Sequence, residues 1–155
     1  MIQIAYFSST PSLLSPDDIA GILLKSRANN LRRGISGMLS QILGEQGYDV
    51  TVAGDGKVAS DLLATCATDL VLLDLNLPKK DGREALKEIK ADPELRKIPV
   101  VVLTTSKADT DIGRIYELGA NSFISKPVSF DSLVDVMKIL GRYWFEIVEL
   151  PVKKP

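Results

Sequence analysis

Asp74, Thr104 and Lys126 are the residues whose types and positions in this chain suit a single reaction. Asp74 closes the apolar run Val71-Leu72-Leu73. It is followed by Leu75-Asn76-Leu77-Pro78-Lys79-Lys80-Asp81-Gly82, which ends in a Pro/Asp/Gly turn. A Val/Leu run bounded by turn residues reads as a strand buried on both faces. A carboxylate at its end belongs at the sheet edge, where open α/β sheets keep their sites. Thr104 ends the next Val-rich run, and Lys126 follows the last short one, immediately before Pro127. A carboxylate, a hydroxyl and an ammonium gathered at one edge suit transfer of a phosphoryl group onto the carboxylate. Asp74 would be the nucleophile, while Lys126 and Thr104 would neutralise and hydrogen-bond the new phosphoryl oxygens. Magnesium would have to bridge carboxylate and phosphate oxygens. Singly, each residue has an ordinary reading, as a turn cap, a β-branched strand residue and a solvated lysine. The conjunction is far more specific than any member.

The elements that must position these residues alternate cleanly from Tyr48 onward. Strands are expected over residues 49–53, 69–74, 98–104 and 121–125, and helices over 57–65, 82–91, 108–118 and 130–143. In the last helix Phe130, Leu133, Val134, Met137 and Leu140 form one apolar stripe. Alternating strands and helices imply a parallel sheet with right-handed crossovers. The N-terminal part is less regular. Residues 2–7 read as a strand. Ser15-Pro16-Asp17-Asp18 reads as a helix start, with Ser15 as N-cap and Asp18 reaching back, and that helix runs to about Ala28. Asn29-Asn30 is a break, and Ile35, Met38, Leu39 and Ile42 give a second helical stripe ending at Gly47. Gly34 and Gly37 each cost about 1 kcal/mol inside a helix, which favours a kink or break at this junction. Residues 152–155 are expected to fray.

Composition bounds the function. The 155 residues suggest one domain, and 45% hydrophobic content supplies a core. A net charge of −1 argues against non-specific nucleic-acid binding. One cysteine, Cys66, excludes an internal disulfide, and the absence of histidine excludes His-based catalysis and argues against a zinc site. No nucleophile–base pair is visible, so an enzyme is not expected. No apolar run approaches the roughly 18 residues of a membrane span, and no signal-peptide pattern opens the chain. A cytoplasmic protein is expected.

The stretch from about Leu39 to Pro151 resembles the receiver domains of bacterial response regulators. The resemblance rests on Asp74 as phosphoacceptor, Pro78 and Gly82 of its loop, Thr104 as switch hydroxyl, Phe123 as switch aromatic, and Lys126-Pro127. It implies a flavodoxin-like three-layer α/β sandwich, with a five-stranded parallel sheet in the order 2-1-3-4-5 and helices on both faces. It also implies a cis Lys126–Pro127 bond, although sequence alone gives a cis bond little weight. The segment Asp74–Asp81, the Val-Leu-Thr-Thr-Ser run and Tyr143-Trp144-Phe145-Glu146 through Leu150-Pro151 look like stand-alone regulators paired with phytochromes. That likeness implies a histidine-kinase partner of phytochrome type and a homodimer through the C-terminal strand and helix and the Trp144 region.

The chain departs from the receiver pattern at its start. A receiver holds Mg²⁺ with an acidic pair after its first strand, whereas residues 2–7 here are followed by Ser8-Ser9. Asp17-Asp18 sits in a helix-start context that accounts for both carboxylates. Asp74 and the backbone carbonyl of Asn76 would remain as an incomplete metal site, so phosphoacceptance is expected to be weak or lost. The first thirty-nine residues instead resemble the opening of a BLUF blue-light flavin domain. The resemblance lies in Ile4-Ala5-Tyr6-Phe7-Ser8-Ser9, Ser26-Arg27-Ala28-Asn29-Asn30 and Gly34-Ile35-Ser36-Gly37-Met38-Leu39. It implies Tyr6, Asn29 and Asn30 as flavin contacts. The rest of a BLUF domain, with its glutamine strand, is absent, so FAD is not expected. The expectation is a chimera in which residues 1–39 supply a strand–helix piece that completes a single domain spanning 1–151. The alternatives are an engineered hybrid without activity and a flavin-binding photoreceptor fragment.

Overall fold

The computed structural model describes residues 3–7, 35–53, 56–65, 67–75, 81–104 and 109–151. Five strands form one parallel sheet: β1 (Gln3–Phe7), β2 (Asp49–Ala53), β3 (Leu70–Asp74), β4 (Val100–Thr104) and β5 (Ser122–Ser125), in the order β2-β1-β3-β4-β5. The order is the expected 2-1-3-4-5. β1 is paired on both sides, with Ile4 level with Val50 on one flank and with Leu70 on the other. β3 and β4 are buried at every position, and they are the two uninterrupted apolar runs of the sequence.

The described helices are α1 (Ile35–Glu45), α2 (Gly56–Thr65), α3 (Gly82–Ala91), α4 (Asp109–Glu117) and α5 (Phe130–Arg142). The two-residue period of the strands sorts side chains onto two cores. Val71, Leu73, Val100 and Val102 face the side of α2, α3 and α4, where Leu63, Leu86, Ile89 and Ile115 meet them. Leu70, Leu72, Val101 and Leu103 face α1 and α5, against Leu39, Leu43, Leu133, Met137 and Leu140. Local chemistry starts and stops the helices. Asp81 caps α3 by accepting the Arg83 N–H at 2.9 Å, and Ser129 caps α5 by accepting the Ser132 N–H at 3.2 Å. Gly47 (φ 88°) ends the turn after α1, and Gly119 (φ 103°) the turn after α4; both lie in the left-handed region that glycine tolerates.

Several boundaries differ from expectation. β3 starts at Leu70 and β4 at Val100, later than expected: Asp69 precedes the apolar run, and Ile98 closes the preceding turn by donating its N–H to the Leu95 carbonyl at 2.9 Å. Residues 95–97 form a 3₁₀ turn, nucleated by Asp92, whose carboxylate accepts the N–H groups of Glu94 and Leu95 at 2.8 and 3.1 Å. The last helix does not stop at Tyr143. It widens into a π turn over Tyr143–Ile147, closed by the Val148 N–H on the Tyr143 carbonyl at 3.0 Å. Among the described residues no peptide bond is cis, so the Lys126–Pro127 bond is trans, the conformer most X–Pro bonds adopt. The expected helix from Ser15, the break at Asn29-Asn30 and the tail 152–155 lie outside the described residues. No described helix is long and apolar enough to cross a membrane.

The amino edge of the sheet is built around Lys90, in the last turn of α3. Its ammonium donates to the carbonyls of Arg96 (3.1 Å) and Ile98 (2.9 Å) and to Asn121 Oδ1 (3.1 Å). The same Oδ1 accepts the Val100 N–H at 2.9 Å, and the Asn121 N–H donates to the Val100 carbonyl at 2.9 Å. The lysine stem lies against Gly119, where a Cβ would approach Lys90 Cγ to 3.0 Å. Burial pushes the Lys90 ammonium below the ordinary lysine pKa.

Candidate functional site

The opposite, carboxyl edge brings the three chemistry-bearing residues together. Asp74 is the last residue of β3 and Thr104 the last of β4; both are buried. The Lys126 N–H donates to the Thr104 carbonyl at 2.8 Å, which carries the β4–β5 ladder one step past Ser125. The chain direction so fixed lets the Lys126 side chain reach back across β4. Its Nζ donates to Asp74 Oδ2 at 2.5 Å, and the two side chains are only 7% and 4% exposed. Each ion so far from water is strongly disfavoured without the other, so the contact holds both side chains in place.

Gly82 lets the next helix come close to this edge. Its N–H donates to the Leu75 carbonyl at 3.0 Å, and a Cβ there would lie 2.5 Å from the Asp74 carbonyl oxygen and 2.6 Å from Leu75 Cα. No residue with a side chain fits, which is the physical reason for a glycine after the Pro/Asp turn. Phe123, the expected switch aromatic, lies level with Val102 on β5 and packs, partly buried, on the α2–α4 core.

Asn76, Asn29 and Asn30 lie outside the described residues. Tyr6 lies within β1, with Val52 on one side and Leu72 on the other. Sequence reasoning missed Arg83 and Asp111. Arg83 Nη1 lies 3.3 Å from Asp81 Oδ1, and Nη2 lies 3.1 Å from Asp111 Oδ1 on α4. A pair between two helices leaves no local pattern in the sequence.

A divalent ion needs several hard oxygen ligands. Among the described residues no group of three or more ligating side chains could hold a metal. Asp74 Oδ2 already takes the Lys126 ammonium, and β1 ends at Phe7, level with Leu73, before the sequence reads Ser8-Ser9. The described residues alone do not assemble a ligand set for a tightly held Mg²⁺ ion.

An open, parallel, doubly wound sheet with an acid, a hydroxyl and an ammonium at its carboxyl edge defines a class of α/β domain whose site lies at the strand ends. The family model of the response regulator receiver domain matches residues 32–138, and the chain belongs to that family of two-component signalling domains. Response regulator Rcp1 of Synechocystis is 49% identical over 83 residues, covering 54% of this chain and 56% of Rcp1. The probable methanogenesis regulatory protein FilR2 of Methanothrix harundinacea is 46% identical over 96 residues, covering 58% of this chain and 62% of FilR2. The matched stretches thus span little more than half the length of these curated relatives. The structure of the Mn²⁺-bound form of Rcp1 superposes with a TM-score of 0.75 at 30% identity, over 98% of this chain and 100% of that one. The phosphorylated cyanobacterial phytochrome response regulator RcpA superposes with the same TM-score at 32% identity, over 97% and 99%. Nothing in these comparisons supports a BLUF segment or a chimera at the N-terminus.

Proposed function

We propose that this chain is a single receiver domain, residues 1–151, that accepts a phosphoryl group on Asp74 from a phosphohistidine of a histidine kinase. A carboxylate oxygen of Asp74 attacks phosphorus, the P–N bond breaks, the imidazole leaves, and an acyl phosphate remains. The Lys126 ammonium moves from the carboxylate to the new phosphoryl oxygens, and the Thr104 hydroxyl hydrogen-bonds another of them. The single observation that carries this reading is the buried Lys126–Asp74 contact at the carboxyl edge. Likeness to Rcp1 and RcpA supports a kinase of phytochrome type. Phe123 and Thr104 would relay the modification to the α4–β5–α5 side.

The reaction is slow, because Ser8-Ser9 replaces the carboxylates that would hold a divalent ion. Intact mass after incubation with acetyl phosphate, with and without Mg²⁺, tests this on the wild type and Asp74→Asn. A small adduct that needs Asp74 supports the reading. A full, strictly Mg²⁺-dependent adduct refutes the broken metal site, and no adduct refutes phosphoacceptance. Placing aspartates at Ser8 and Ser9 is expected to raise Mg²⁺ affinity, read by titration of Trp144 fluorescence.

A homodimer is the second part of the proposal, with a changed surface. Trp144 is buried in its own core beneath α5, so it does not serve as a contact. Ile139, Tyr143 and Ile147 are exposed at four-residue spacing along α5 and the π turn. An apolar stripe of this kind favours a second copy. Sedimentation of wild type and Ile139→Glu decides it: a dimer lost in the variant supports the stripe, and a monomeric wild type rules it out.

A further inference from the structure

We draw no further inference here: the strongest candidate, the exposed apolar stripe of Ile139, Tyr143 and Ile147 along α5 and the π turn, belongs to the homodimer surface already proposed, and pairing of two copies through it restates an established property of the family.

Discussion

The two edges of the sheet each tie down a lysine ammonium, half-buried at one and buried at the other, and they hold it differently. At the amino edge Lys90 gives its three protons to two carbonyls and an amide oxygen, all neutral. At the carboxyl edge Lys126 meets a carboxylate. Three neutral acceptors saturate an ammonium and leave nothing to exchange, so Lys90 ties α3 to the starts of β4 and β5. Under the proposed function the carboxylate partner is a nucleophile as well as a counter-ion. The ammonium it holds stays available for whatever negative charge the carboxylate acquires. The same residue type thus fastens one edge and equips the other.

Breaking the carboxyl-edge pair should have the largest effect. Lys126→Met leaves the Asp74 carboxylate buried without its counter-ion and should cost about 3–5 kcal/mol in urea denaturation. Adding Asp74→Asn should recover much of that loss, because the stranded charge goes with it. A loss below about 1 kcal/mol would mean the edge is wetter than its 4% exposure implies. At the amino edge, Lys90→Met keeps the stem beside Gly119 and removes the three donated hydrogen bonds. About 1.5–3 kcal/mol should go, with no change in any Asp74 chemistry. Gly82→Ala forces a Cβ against immobile backbone at the end of β3, and about 1–3 kcal/mol is expected. Its mark is a changed yield of the Asp74 adduct, which Lys90→Met lacks.

The smallest effect is a pH dependence. Lys90 has a folded-state pKa below its unfolded value because burial disfavours the charged form. Between those two values the unfolded chain binds more protons, so this group makes stability rise with pH in that alkaline window. Below the folded value its contribution is constant. Wild type minus Lys90→Met, compared by denaturation across that window, should show the rise. A difference that falls with pH would mean that the neutral oxygens favour the charged form more than burial opposes it.

The same contrast marks what the sequence carries. Asp74, Thr104 and Lys126 were legible because each sits at the end of an apolar run, and strand ends in a parallel sheet converge by topology. The burial of β3 and β4 on both faces was legible from their unbroken Val/Leu runs. Lys90 and Asn121 were not, because they meet across three elements and each alone looks like an ordinary surface residue. Arg83 and Asp111 escaped likewise. The π turn was hidden because Tyr143-Trp144-Phe145 continues an apolar stretch with no helix-stopping residue. Only the packed structure turns Trp144 inward and sets Phe145 against Tyr48, with ring centroids 4.8 Å apart. Gly141 makes room for that ring, since a Cβ there would lie 2.7 Å from Tyr48 Oη.

The position of β1 bears on how the molecule is assembled. β1, the earliest described strand in the chain, occupies a seat between two strands that begin much later, at Asp49 and Leu70. Both flanks require long loops to close before any pairing rewards them. Strands β3, β4 and β5, by contrast, are adjacent both in sequence and in the sheet. The C-terminal half can therefore order first, leaving β1 to slot between β2 and β3 as a late event. The slowest phase of refolding would then report the N-terminal residues rather than the Asp74 edge.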